Sequence, residues 1–292
     1  MPFDVLLPSV LFSLTAVAVY LYPKLETKIK SILEEKKFSI RDVVVLVVVM
    51  GIAVTVLVVV PRDAIGILFP IFYSMMLFLL MYIAIPKWYI GLLLPAAFLA
   101  LYLVVWNIPF DLEKIASFGL SPTDIFVLIF MDVFAAILIV FASVYMGTLF
   151  SWETIAVFAG LLTIMDTIQV LVTGFMGEAS TKMVNLKLPV MIFIPTFPHQ
   201  SLGMFLGLGD FLLSSLLTIQ TARRYGKKFG YISIAFIAAI FLISEFLMFY
   251  YKTGAMPATI FIVCGWLVAL GARHLYNSLT PKKHSVNNSE YS

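Results

Sequence analysis

Nine stretches of about twenty mostly apolar residues follow one another along the chain, and each is long enough to cross a bilayer as a helix. They run approximately over 4–22, 40–60, 64–84, 88–106, 123–147, 151–175, 202–221, 229–251 and 255–276. The runs are continuous and do not alternate, so they read as helices and not as barrel strands. Composition agrees. Of 292 residues, 62% are hydrophobic and 12% charged, with a mean hydropathy of +1.06. That leaves too little polar surface for a soluble enzyme, and too much apolar sequence for a disordered chain. The sequence predicts an all-α polytopic membrane protein with nine transmembrane helices and the lipid bilayer as its partner. A net charge of +3 offers no domain-sized basic surface for nucleic acid. The first apolar stretch has no basic segment before it and reads as a retained span.

Two connections are long. Residues 23–39 alternate in charge and read as a solvated helix or loop. Residues 176–201 contain Pro189-Val-Met-Ile-Phe-Ile-Pro195, which is too short to span and reads as an extended segment packed against protein. Residues 281–292 form a polar tail expected to be disordered. Arg62, Lys114, Lys182, Lys187 and Lys252 lie on one set of faces, and the other fourteen of the nineteen basic residues on the opposite set. Cytoplasmic loops carry the excess of Lys and Arg. The N-terminus is therefore expected outside and the C-terminus in the cytoplasm of a multi-pass cell-membrane protein.

Four acids fall inside spans: Asp132, Asp166, Asp210 and Glu245. A buried acid costs a few kcal/mol there, which makes each a functional candidate. Asp132 and Glu245 sit in no informative pattern and read as acids hydrogen-bonded to a neighbouring helix. Asp210 ends Gly207-Leu208-Gly209-Asp210, where two glycines clear the space around the carboxyl group. Asp166 lies nine residues before the outer end of its span, and Asp210 eight residues after the outer start of its own. At 1.5 Å per residue their depths are roughly 14 and 12 Å. Two carboxyls paired at one depth share a proton. The ionised member then activates water, and the protonated member polarises a scissile carbonyl and donates to the leaving amine. This chemistry needs no metal and no cofactor. With Cys264 the sole cysteine and only His199, His274 and His284 as histidines, no metal site is expected either.

These residues carry a resemblance. Met165-Asp166, Gly207-Leu208-Gly209-Asp210-Phe211 and Pro257-Ala258-Thr259 stand in the order and spacing of the GxGD intramembrane aspartyl proteases of the presenilin and signal peptide peptidase type, and the chain resembles their compact archaeal members. The resemblance covers about residues 151–276. It implies a presenilin-like fold of nine spans, catalytic Asp166 and Asp210, and an active-site motif of Gly207, Leu208, Gly209, Pro257, Ala258 and Thr259. It further implies an N-terminal transmembrane bundle over 1–150, holding spans one to five, and a catalytic region over 151–280. Met165 stands where the family has an aromatic, and Thr259 where it has leucine. Read by its residues alone, Pro257 is an ordinary first-turn helix proline. The charge-based orientation is the one expected of signal peptide peptidases, which implies single-span transmembrane segments or remnant signal peptides as substrates. Residues 189–195 then offer an edge to which an unwound substrate adds as a strand.

Rival protease types fit poorly. There is no H-E-x-x-H, and Gly119-Leu-Ser121-Pro122 lies in a loop without a following glycine. Nor is there the cysteine zinc domain of type IV prepilin peptidases. The alternative outside proteolysis is an ion or proton-coupled transporter or channel in which all four acids line a polar path. Substrate identity and oligomeric state are not encoded in these patterns.

Overall fold

The computed structural model describes residues 5–33, 37–85, 87–110, 121–195, 203–251 and 256–279. Among the described residues the fold is all-α apart from one hairpin. Its elements in order are α1 (Leu6–Leu33), α2 (Ile40–Val59), α3 (Arg62–Ala84), α4 (Trp88–Trp106), α5 (Pro122–Leu149), α6 (Trp152–Thr167) with a π-helical turn Ile168–Val172, α7 (Phe175–Asn185), β1 (Met191–Pro195), β2 (Gly203–Gly207), α8 (Leu208–Tyr225), α9 (Lys227–Tyr251) and α10 (Ala258–Leu279). The polar tail 281–292 lies outside the described residues.

Eight helices among the described residues are long and apolar enough to cross a membrane: α1 to α5, α6 with its π turn, α9 and α10. Their outward faces carry exposed apolar side chains, such as Val45, Val48, Val49 and Ile52 on α2 and Ile67, Phe72 and Met75 on α3. Water would not tolerate so continuous an apolar surface, whereas lipid matches it. Local signals set the helix starts. Ser39 with Asp42, Ser121 with Asp124 and Ser151 with Thr154 each form a capping box. The charged 23–39 segment is helical as far as Leu33, because α1 simply continues, with Lys30 and Glu26 paired at 2.8 Å one turn apart.

The expected seventh span, 202–221, takes a different form. Residues 203–207 are a strand, and the helix starts only at Leu208. Of the apolar run Pro189–Pro195, the portion Met191–Pro195 is extended as expected, whereas Pro189 and Val190 bend, and β1 captures Gly203–Gly207 in antiparallel register, with Phe193 opposite Phe205 and Met191 opposite Gly207. A short apolar run does not distinguish a strand from a helix by periodicity, so a neighbouring strand decides. α8 is also the least lipid-like of the long helices. Phe211 and every residue from Leu213 to Thr221 are buried, including Ser214, Ser215, Thr218, Gln220 and Thr221. It packs among α1, α5, α6, α9 and α10. Its polar groups are used between helices: Ser214 Oγ lies 3.3 Å from Thr15 Oγ1 of α1, Gln220 donates to the Gly147 and Phe150 carbonyls, and Trp266 of α10 donates to Thr221 at 2.9 Å. One core cluster runs from Leu7 and Val43 through Phe158 and Phe211 to Trp266, so both halves of the chain build it.

Two lysines tie the α7–β1 segment to the helices before it. Lys182 Nζ donates to the Leu57, Val58 and Val60 carbonyls at the end of α2, and Lys187 Nζ to the Val105, Trp106 and Ile108 carbonyls at the end of α4. A helix C-terminus presents orphan carbonyls and the negative end of the dipole, which suits an ammonium group. Burial pulls the Lys187 pKa below the ordinary lysine range, and these carbonyls offset part of that cost. Lys187 holds φ at +57°, a left-handed turn between α7 and the hairpin.

Candidate active site

Asp166 lies in the last α-helical turn of α6 and is 8% exposed. Two residues later the helix widens into the π turn, which ends at Val172, and Gly174, with φ of +69°, lets the chain turn into α7. Asp210 is the third residue of α8, not a mid-helix residue, because β2 occupies the positions before Leu208. The expected depth of eight helical residues therefore does not apply. The N-cap is Gly207, in extended conformation and without a capping side chain. Asp210 turns back to accept the Gly207 N–H, which is the carboxylate half of a capping box. A Cβ on Gly207 would sit 3.4 Å from Asp210 Oδ2, whereas a Cβ on Gly209 would project into open space. Leu208 extends the hairpin pairing by donating to the Val190 carbonyl at 3.1 Å.

The third motif closes on the first. Pro257 is buried just before α10, Ala258 packs against the core cluster, and Thr259 is the second helical residue, 3% exposed. Thr259 Oγ1 donates to Asp166 Oδ2 at 2.7 Å, and the Thr259 backbone N–H donates to the same carboxylate. Asp166 thus satisfies an orphan donor at the start of α10, while Asp210 does so at the start of α8. The two carboxyl groups are near enough to act on each other as like charges. Residues far apart in sequence therefore meet at one place: Asp166, Asp210 with Gly207, and Thr259. Met165 turns the other way, towards α2, where a Cβ on Gly51 would stand 3.1 Å from its Sδ.

The other two acids fare differently. Asp132, midway along α5, accepts the Phe193 N–H of β1 at 2.8 Å, and so holds the hairpin against α5. Glu245 is buried in α9. The Asp132 bond also bears on strand addition. β1 has β2 on one side and gives its outward Phe193 N–H to Asp132 on the other, so residues 189–195 do not present the free edge expected of them. Sequence reasoning missed Gln169, which lies three residues after Asp166, is buried, and donates to the Gly51 carbonyl at 3.2 Å. A glutamine within an apolar run was the available signal. It lines a lipid-facing groove of about 520 Å³ between α2 and α6, with Gly51, Ile52, Ile164 and Met165. Among the described residues, no three His, Cys, Asp or Glu side chains gather to hold a metal ion. In comparisons with known proteins, the chain matches no family model and no curated protein.

Proposed function

We propose that the chain is an intramembrane aspartic-type endopeptidase that hydrolyses single-span transmembrane segments or remnant signal peptides, with Asp166 and Asp210 as its catalytic pair. The observation that carries this reading is the convergence of the two acids, one at the end of α6 and one at the start of α8, with the Thr259 contact from a third distant segment. One carboxylate takes a proton from water, and the hydroxide adds to the scissile carbonyl carbon. The protonated partner hydrogen-bonds the developing oxyanion and then gives its proton to the leaving nitrogen as the C–N bond breaks. The products are a carboxylic acid and an amine, and the pair holds one proton before and after. No covalent intermediate forms.

In this reading α8 is the seventh of the nine crossings of a presenilin-like bundle. Its 18 residues give roughly 27 Å of helix, close to the hydrocarbon thickness, and its polarity suits a span shielded by its neighbours. Nine crossings put the N-terminus outside the cell membrane and the C-terminus in the cytoplasm, and the ends of α2 and α4 then share the outer face with Lys182 and Lys187. An unwound substrate pairs with the outer edge of β2, which leads through Gly207 to Asp210. The open space beside Gly209 admits its backbone. The transporter alternative loses Asp132 from its polar path, since that carboxyl group is engaged by the hairpin.

The test is reconstitution of the full chain in liposomes with a single-span reporter, and mass spectrometry of the new termini. The expected cut lies within the apolar stretch of the reporter. An intact reporter, across several span sequences, overturns the proposal.

A further inference from the structure

Thr259 differs from four other threonines of this bundle. Thr163, Thr167, Thr218 and Thr221 each donate their hydroxyl to the carbonyl four residues earlier, the usual outlet for threonine inside a helix. Thr259 is the second residue of α10. Its hydroxyl proton goes to Asp166 Oδ2 instead, in a buried bond of 2.7 Å, and its backbone N–H goes to the same carboxylate. Asp166 therefore receives two donors from one residue. Asp210 receives the Gly207 N–H, and a Cβ on the neighbouring Gly209 would project into open space.

A carboxylate only accepts hydrogen bonds, whereas a carboxylic acid must also donate one. Two donors fixed on Asp166 favour its ionised form, and the shared proton falls to Asp210. We infer that Thr259 is a positioning residue that holds Asp166 as the proton acceptor of the pair, which makes Asp166 the general base and Asp210 the acid. This rests on the protease reading above. The step is then directional: water loses its proton to Asp166, its oxygen bonds to the carbonyl carbon, and the Asp210 proton passes to the leaving nitrogen as the C–N bond breaks. A side chain without a hydroxyl at this position leaves Asp166 only the backbone donor.

The experiment compares Thr259→Val, Thr259→Ser and wild type in liposomes on one single-span reporter, with kcat and KM determined separately. Asp166→Ala and Asp210→Ala serve as controls. T259V keeps the shape and loses the donor. Its kcat is expected to fall roughly ten- to hundred-fold, the worth of one hydrogen bond to a charged group. KM stays within twofold, because the bond touches Asp166 and not the substrate. T259S restores kcat to within about threefold of wild type, taken as the allowance for the lost methyl contact. If T259V does not fold, Thr259→Ala and T259S make the same comparison. A T259V kcat within twofold of wild type, or a T259S as slow as T259V, overturns the inference while leaving the protease reading intact. So does a loss confined to KM. A wild type that cleaves no reporter overturns both.

Discussion

Replacing Lys187 with methionine removes an ammonium group and leaves a side chain of similar length. Lys187 is 7% exposed, and its Nζ serves three carbonyls at the end of α4. The Val105 carbonyl keeps a second donor, the Ile108 N–H at 3.1 Å. Among the described residues, the Trp106 and Ile108 carbonyls have no donor other than the lysine. An orphaned buried acceptor costs about 1–3 kcal/mol, so two part-buried ones cost about 2 kcal/mol together. Lys187→Gln retains a neutral donor long enough for one carbonyl, and is expected to lose about half as much. The assay is denaturant unfolding of the purified full chain in detergent, followed by tryptophan fluorescence, to which Trp106 contributes beside the altered site. A K187M stability within about 0.5 kcal/mol of wild type refutes the reasoning, since surface-like substitutions fall in that range. A K187Q as unstable as K187M refutes the part that assigns the loss to missing donors.

Three further outcomes follow from the packing. Asp132→Leu leaves the Phe193 N–H of the hairpin without its acceptor and is expected to destabilise the protein by about 2 kcal/mol, whereas Asp132→Asn, which keeps an acceptor, costs less; unfolding curves of the two variants decide it. Gly265→Ala places a Cβ 2.6 Å from the Ile237 backbone, where α10 lies against α9, and is expected to cost about 1–3 kcal/mol by the same measurement. Gly209→Ala meets no described residue within 4 Å, so its thermal unfolding stays at the wild-type value while kcat/KM on a single-span reporter falls at least tenfold, one Cβ in the approach to Asp210 being enough to misplace a substrate backbone.

The sequence carried the helices plainly, because lipid demands about twenty apolar residues and the chain supplies them in separate blocks. The extended character of 191–195 was also legible, from β-prone residues between two prolines. Its partner was not. Gly203-Met-Phe-Leu-Gly207 is as apolar as the start of a span, and only the pairing with β1 makes it a strand. That one difference moved Asp210 from the middle of an expected helix to its first turn. Asp132 fits its reading as a hydrogen-bonded acid, though its partner is a hairpin N–H and not a neighbouring helix. Thr259 was visible as a departure from a motif. Its bond to Asp166 depends on how α10 meets α6, a long-range packing matter that no local pattern encodes. Lys182 and Lys187 entered the sequence argument as charges to be counted on one side of a membrane. Their use as caps for α2 and α4 depends on where those two helices end in space.

The central claim is that Asp166 and Asp210 act as one unit. The most direct test is the rate of reporter cleavage by Asp166→Ala, Asp210→Ala and the double variant, each verified as folded. Groups that work as a pair are strongly non-additive, so each single variant should fall to the same floor and the double variant should fall no further. Either single variant cutting within tenfold of wild type would contradict the account, and so would a double variant far slower than both.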